Sequence, residues 1–369
     1  MVAIDRFLRT SRGPIKAEAS EAKTAEIAKQ APGGTDDNSF VAQLEAANLH
    51  PLWDRFKKIT PVRPQPRDAP LIWRWKDIEP YAERAVGEVA IGEVERRALI
   101  LVNPAFAGET VTTSNLIAAF TVLDPGDRAR PHRHTFAAIR FATRADGATT
   151  IVNGRRCDMR EGDLILTPPM CWHGHVNESG HRIIWFDAAN IPLIRTLDAN
   201  FFEPGDPGSN AFWQVDEGEE RLWAEPGLAG ADLPREAAHS PKYRYAGEAT
   251  RRLLSALPAG PDGARTVRYT NPQTGGAVMP ALDCYAMRLL RKAPTRPRRS
   301  TSNAICLVAS GSGRSQIGEH SFEWSQHDVF SIPHWTWASH EALDGDADLF
   351  VVSDKSAYER LDLLREELQ

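Results

Sequence analysis

Four histidines fall into two His-x-His pairs, His132 with His134 and His173 with His175. On an extended strand, residues two apart project from one face. Each pair therefore offers two imidazoles to the same side, and neighbouring strands would bring two or three rings around one cation. Neutral imidazole binds iron, zinc, copper and nickel alike, so the spacing points to a transition-metal centre without naming its metal. The other histidines have less to explain. His50, His181, His239, His320, His327 and His334 stand alone or near turns, where a surface or satisfied core role is the usual one, and His340 belongs to a repeat. The competing reading is two accidental pairs on a half-buried sheet.

The repeat argues against that reading. Pro131-His132-Arg133-His134-Thr135, followed by Ala138-Ile139, lies over Pro297-Arg298-Arg299-Ser300-Thr301, followed by Ala304-Ile305, at the same offsets. Asp163–His175 (DLILTPPMCWHGH) matches Asp328–His340 (DVFSIPHWTWASH) without a gap. In the second copy the three candidate ligand positions read Arg298, Ser300 and Ala338, so the fold does not need imidazole there. His340 stands where the first copy has His175, and Cys306 stands where it has Arg140.

The elements that must carry these residues are short. Apolar or alternating runs recur at Ala98–Val102, Leu116–Leu123, Ile139–Ala142, Thr149–Val152, Asp163–Thr167 and Arg182–Phe186, and again at Val278–Leu290, Ala304–Ala309, Val329–Ile332 and Ala347–Val352. Gly, Pro, Asn and Asp punctuate them, the pattern of a β-sandwich or barrel. Asn38–Lys58 has helical periodicity broken at Pro51. Pro61–Pro70 reads as an extended connection, Glu203–Pro234 as a linker, and Arg251–Ala256 as a short helix. The expected organisation is a flexible tail over 1–37, a helical segment over 38–85, a metal-binding barrel over 86–200, a linker with a short helix over 201–260, and a metal-free barrel over 261–369.

Composition bounds the function. The chain has 369 residues, 42% of them apolar, and a net charge of −5, which disfavours a nucleic-acid partner. No run of ~18 apolar residues would span a membrane, and the first 34 residues lack the apolar stretch of a secretory signal. Cys157, Cys171, Cys284 and Cys306 show no CxxC spacing and read as buried reduced thiols, hence a cytoplasmic protein.

Gly126-x5-His132-x-His134, then Gly162-x5-Pro168-x4-His173-x3-Asn177, resembles the two motifs of the cupin superfamily. The glutamate usual a few residues after the first pair is missing, with Ala138 and Ile139 in that stretch. The P-H-R-H-T and T-P-x-x-x-W-H-x-H segments resemble those of the gentisate/salicylate 1,2-dioxygenase family of bicupins. The similarity runs from Asn48-Leu49-x-x-Leu52-Trp53 through the second copy. It implies an all-β-dominated bicupin of two double-stranded β-helix (jelly-roll) barrels, with N-terminal and linking helices, assembled as a homotetramer. It further implies Fe(II) bound by His132, His134 and His173, with His175 in the same cavity exchanging a proton or hydrogen bond with substrate or oxygen.

Two arginines are candidates for the substrate's carboxylate. Arg140, six residues after His134, is expected on the same side of that strand by parity, and a guanidinium there would grip a carboxylate in bidentate fashion. By resemblance Arg96 is the second, with Arg97 facing the opposite way if the run is extended. The family commonly has a tryptophan and a glutamine lining the ring pocket, where this chain has Ile117 and Thr121. A smaller, less polar wall favours a substituted salicylate, such as the 5-nitro or 5-halo compound, over gentisate. The implied reaction is cleavage of the C1–C2 bond of an aromatic o-hydroxycarboxylate by O2, with 1-hydroxy-2-naphthoate as an alternative substrate. Two rivals are a manganese or nickel cupin, whose sites usually retain the glutamate, and a non-catalytic ligand-binding bicupin, which typically loses the histidines from both copies.

Overall fold

A computed structural model describes residues 39–206, 213, 220–223, 230–232 and 238–369. The expected tail over 1–37, and most of the linker's 207–237, lie outside the described residues. The chain divides into two units, Met1–Arg63 and Pro64–Gln369. In the first, α1 (Phe40–Ala46) is capped by Ser39 Oγ, which accepts from the Ala42 N–H at 3.2 Å, and α2 (Leu52–Ile59) starts after Pro51. The proline lacks an N–H to donate and divides the periodic stretch into two short helices.

The second unit carries the strands. They are β1 (Ile72–Trp73), β2 (Ala98–Ile100), β3 (Ile117–Leu123), β4 (Arg128–His134), β5 (Ala138–Arg144), β6 (Ala148–Val152) and β7 (Arg155–Asp158). Then come β8 (Leu164–Thr167), β9 (His173–Asn177), β10 (Ile183–Ala189), β11 (Phe202–Pro204), β12 (Arg244–Tyr245), β13 (Arg265–Arg268) and β14 (Asp283–Leu289). The last are β15 (Arg298–Ser300), β16 (Ala304–Ser310), β17 (Ser312–Ile317), β18 (His320–Ser325), β19 (Val329–Ile332), β20 (Ala338–Ala342), β21 (Ala347–Ser353) and β22 (Glu366–Leu368). Helix α3 spans Trp75–Glu88, α4 Ile191–Thr196, α5 Gly247–Ala256 and α6 Lys355–Arg360.

Two pairs of sheets result. The first half faces β12-β8-β5-β10-β3-β2 with β11-β4-β9-β6-β7, and the second faces β1-β19-β16-β21-β14-β13 with β18-β17-β20-β15-β22. Each half is thus a jelly roll of two sheets rather than one continuously bonded barrel. Each has its own interior, around Trp185 and Ile165 in the first and around Trp324 and Phe330 in the second. A third apolar cluster joins them, with Phe141 stacked on Phe350 at 4.2 Å between ring centroids. Strand β5 is buried along all but its last residue because one face lines the interior and the other packs on the sister half.

The halves also exchange their leading segments. β1, which precedes the first half, pairs with β19 of the second, and β12 pairs with β8 of the first. Asp328 accepts from the Trp75 N–H at the start of α3 (2.7 Å), as Asp163 accepts from the Gly247 N–H at the start of α5 (2.8 Å). A carboxylate at a helix N-terminus satisfies an orphan donor and complements the helix dipole. Residues 72–73, expected within a separate helical segment, are therefore part of the second half's sheet. Periodicity over two residues carries no such information.

Candidate metal centre

A turn at Gly126 (φ +84°, a conformation that favours glycine) leads the chain into β4. β4 runs antiparallel to β9, with His132 directly opposite His173 after a register shift beyond Ala129. Alternation puts His134 and His175 on the same inward face, and all four rings are buried. Ring centroids of His173 lie 4.3 Å from His132 and 4.8 Å from His134. One nitrogen from each of these three histidines lies within 4.8 Å of the others.

Backbone carbonyls decide which nitrogens these are. The Nδ1 atoms of His132, His134 and His173 meet the carbonyls of Arg130 (2.8 Å), Phe136 (2.7 Å) and Cys171 (2.9 Å). A carbonyl can only accept, so each Nδ1 carries the hydrogen and each Nε2 presents a lone pair. The Nε2 atoms of His134 and His173 are buried without a hydrogen-bond partner. Burial first, and Arg96 second, push the His132 and His134 pKa values down to about 2 and about 3. Burial and then His132 push His173 well below the ordinary imidazole range. Three neutral, pre-oriented lone pairs converging in a dry interior suit a divalent transition metal, and a donor set of nitrogen alone accepts iron(II).

His175 lies outside that trio. Its Nδ1 meets Thr150 Oγ1 at 2.9 Å, and its Nε2 is buried and unpartnered. Burial first, and Arg140 second, lower its pKa well below the ordinary imidazole range. It is a neutral hydrogen-bonding group.

Arg140 has no exposed surface. Its Nη1 donates to Thr167 Oγ1 at 2.9 Å and its Nε lies 3.5 Å from Asp187 Oδ1, while Nε and Nη2 make no hydrogen bond. Desolvation lowers its pKa to about 9, with Asp187 opposing that shift, so it remains a cation at neutral pH. The parity argument for Arg140 is corrected too. The chain turns between His134 and Ala138, and the two residues sit on different strands of facing sheets. Arg140 nevertheless lies close enough to contribute to depressing all four histidines.

Arg96 precedes β2, and its Nη2 lies 2.9 Å from His132 Nε2. Arg97 points elsewhere, donating to the Val89 carbonyl at 2.6 Å and pairing with Asp127. Ile117 is half-buried at the start of β3. Thr121 is fully buried, and its hydroxyl donates to Asp187 Oδ2. The Thr121 hydroxyl is thereby committed to Asp187.

Asp187, Thr150 and Trp185, whose unpartnered indole lies 5.4 Å from His175, escaped the sequence reading. Asp187 had a visible signal. It is the one acid in the apolar run Ile183–Ala189, and the second copy has Val351 at the matching register. Thr150 and Trp185 had none, because their partners come from other strands.

Residues 119–188 match the model of the cupin domain family. The chain is 34% identical to a 5-aminosalicylate 1,2-dioxygenase of a Comamonas species, covering 90% of each. It is 36% identical to a gentisate 1,2-dioxygenase of a Streptomyces species, covering 89% of this chain and 94% of that protein. Among solved structures, salicylate 1,2-dioxygenase from Pseudoaminobacter salicylatoxidans with gentisate bound superposes with a TM-score of 0.86 at 31% identity, covering 92% of this chain and 96% of that one.

Proposed function

Because this chain belongs to the gentisate and salicylate 1,2-dioxygenase family of bicupins, and is a ring-cleaving oxidoreductase, we propose that it opens the C1–C2 bond of a substituted salicylate at an iron(II) centre held by His132, His134 and His173. Both atoms of O2 enter the ring-opened product, so no external reductant is needed. The observation that carries the reading is the convergence of three carbonyl-oriented imidazoles beside a buried guanidinium with two unused donors.

Iron(II), held by His132, His134 and His173, would supply Lewis-acid and redox chemistry toward the o-hydroxycarboxylate and O2. The protein's own groups do the rest. Arg140 offers Nε and Nη2 to the substrate carboxylate, a charge-assisted pairing in a low-dielectric interior. Asp187, whose Oδ1 lies 3.5 Å from Nε, balances the charge of that guanidinium, and Thr121 ties down the second Asp187 oxygen. Arg96 would turn from the His132 lone pair when a metal takes it, toward the substrate carboxylate. His175 Nε2 is the neutral group that holds or passes a hydrogen at the substrate or oxygen. Burial of all four rings excludes bulk water.

With its hydroxyl committed to Asp187, Thr121 leaves the Ile117 wall without a free polar group for a ring hydroxyl. This supports substituted salicylates, such as 5-nitro- or 5-halosalicylate, over gentisate. We further propose a homotetrameric, cytoplasmic enzyme; no helix among the described residues is long and apolar enough to cross a membrane. The test is oxygen uptake by iron(II)-loaded protein across a panel of salicylate, 5-halo- and 5-nitrosalicylate, gentisate and 1-hydroxy-2-naphthoate. Turnover of the 5-substituted compounds above gentisate is expected. Gentisate as best substrate overturns the specificity assignment, and uptake that survives without metal overturns the centre.

A further inference from the structure

We propose that the second half holds a small-molecule site of its own, in the cavity matching the metal centre, built for a single-ring aromatic carboxylate. The cavity measures about 170 Å³. An apolar cavity of about 150 Å³ accommodates benzene, so the space is that of one ring rather than two. Its walls include Met287, Cys306, Val351 and Ala338. The register places Cys306 where the first half has Arg140, Val351 where it has Asp187, and Ala338 where it has His173. At these three positions the polar groups of the metal centre have been replaced by apolar or small ones, while Arg298 and Ser300 stand where the first half has His132 and His134. The space has not been closed, although unfilled interior volume destabilises a fold in proportion to its size.

One polar group has been kept. His340, which is 7% exposed, lines the cavity at the position of His175. Its Nδ1 lies 2.8 Å from Ser315 Oγ, which also accepts the Trp324 indole N–H at 2.8 Å. With the Ser315 oxygen accepting from Trp324, the serine hydrogen is free to donate to Nδ1. The imidazole hydrogen then sits on Nε2, for which the described residues provide no partner. Burial lowers the His340 pKa to about 4, so the ring is a neutral, single donor at neutral pH. Ser300 and Ser302, 2.8 Å apart, add hydroxyls, and the partly exposed Arg298 and Lys355 add positive charge at the same cavity. Both cations are bridged by Glu366 on the C-terminal strand at 2.8 Å. A carboxylate is therefore already the anion this end of the cavity accepts, and a ligand's carboxylate would exchange with that of Glu366. Donors at one end and an apolar body describe an aromatic acid.

The probe is 4-bromobenzoate, which lacks the ortho hydroxyl needed for chelation. Crystals soaked in it should show a bromine anomalous peak in the cavity beside His340. Calorimetric titration of the full-length, metal-loaded protein should find a saturable site. His340→Leu should weaken that site on the order of tenfold to a hundredfold, the worth of a hydrogen bond to a charged group. Ala338→Phe, which fills the cavity, should abolish it. Both variants should retain substrate-dependent oxygen uptake at the first half. Absence of the peak at saturating probe, or binding unchanged in both variants, overturns the proposal. If neither variant folds, the wild-type peak and titration decide it alone.

Discussion

The two halves are the same construction with different interiors. Strand β11 pairs with β4 as β22 pairs with β15, so Phe202 faces His134 where Glu366 faces Ser300, and Pro204 faces His132 where Leu368 faces Arg298. The outward ion pairs persist in both, Arg133 with Glu203 and Arg299 with Glu367. The stacking of those arginines on Trp172 and Trp337, at 4.9 and 4.6 Å, persists as well. Asn190 accepts the Ala137 N–H at 2.8 Å as Asp354 accepts that of Asn303 at 2.8 Å. What differs faces inward: three histidines, an arginine and an aspartate against arginine, serine, alanine, cysteine and valine. The shared features hold the scaffold together, and among the differing residues His134, His173, Arg140 and Asp187 carry polar atoms that the first half leaves unpaired. Unpaired buried donors and acceptors cost stability, and the first half bears that cost where chemistry is to be done.

The largest test of this contrast gives the first half the second's residue. His173→Ala should remove the metal and lower oxygen uptake by at least about 10³-fold, while Arg298→Ala in the sister half leaves metal content unchanged. Metal analysis and an oxygen electrode read both, and equal losses would erase the distinction. Arg140→Cys, borrowing from Cys306, should lower kcat/KM on the order of 10²-fold, mainly through KM, as expected for one charge-assisted pairing of about 3 kcal/mol. The reverse change, Cys306→Arg, buries an unmatched cation and should lower the melting temperature instead.

A smaller effect separates holding the arginine from being the arginine. Asp187→Asn should cost about tenfold in kcat/KM, and Thr121→Val somewhat less, because both act through Arg140. An Asp187→Asn loss as large as that of Arg140→Cys would make the acid a direct participant. The smallest effect belongs to the second half. Burial raises the Asp68 and Asp354 pKa values to about 6, and Asp68 has no hydrogen-bond partner for either oxygen. A carboxyl raised in the folded state stabilises it fully below the unfolded pKa near 4 and loses that contribution as pH rises through about 6. Stability should therefore fall between pH 4 and 7. Asp68→Asn should flatten the slope and stabilise the protein at pH 7 by about 1–3 kcal/mol, which chemical denaturation at both pH values measures.

Much of the centre was legible in the chain itself. The facing of His132 with His134, and of His173 with His175, follows from the period of a strand, which is a local property. The internal repeat separated scaffold from chemistry because one chain carries both versions. Arg140 stands out in the sequence as a guanidinium absent from the sister copy, but strand parity with His134 does not place it, since a turn intervenes after His134. Asp187 was readable as a lone acid in an apolar strand, yet its meaning depends on Arg140 and Thr121 arriving from β5 and β3. The break at Pro51 was legible, whereas the pairing of β1 with β19 was not, because two residues have no pattern to read.

The sequence by itself therefore determined the kind of ligand, the duplicated strand architecture and which copy keeps its imidazoles, all set by residue type and spacing along a few consecutive positions. Tertiary structure alone decided which nitrogen of each histidine faces inward, which of Arg96 and Arg97 reaches the site, and that each half is completed by the segment preceding the other. Those choices rest on carbonyls, carboxylates and strand edges that lie far apart in the chain and meet only once the sheets have closed over them.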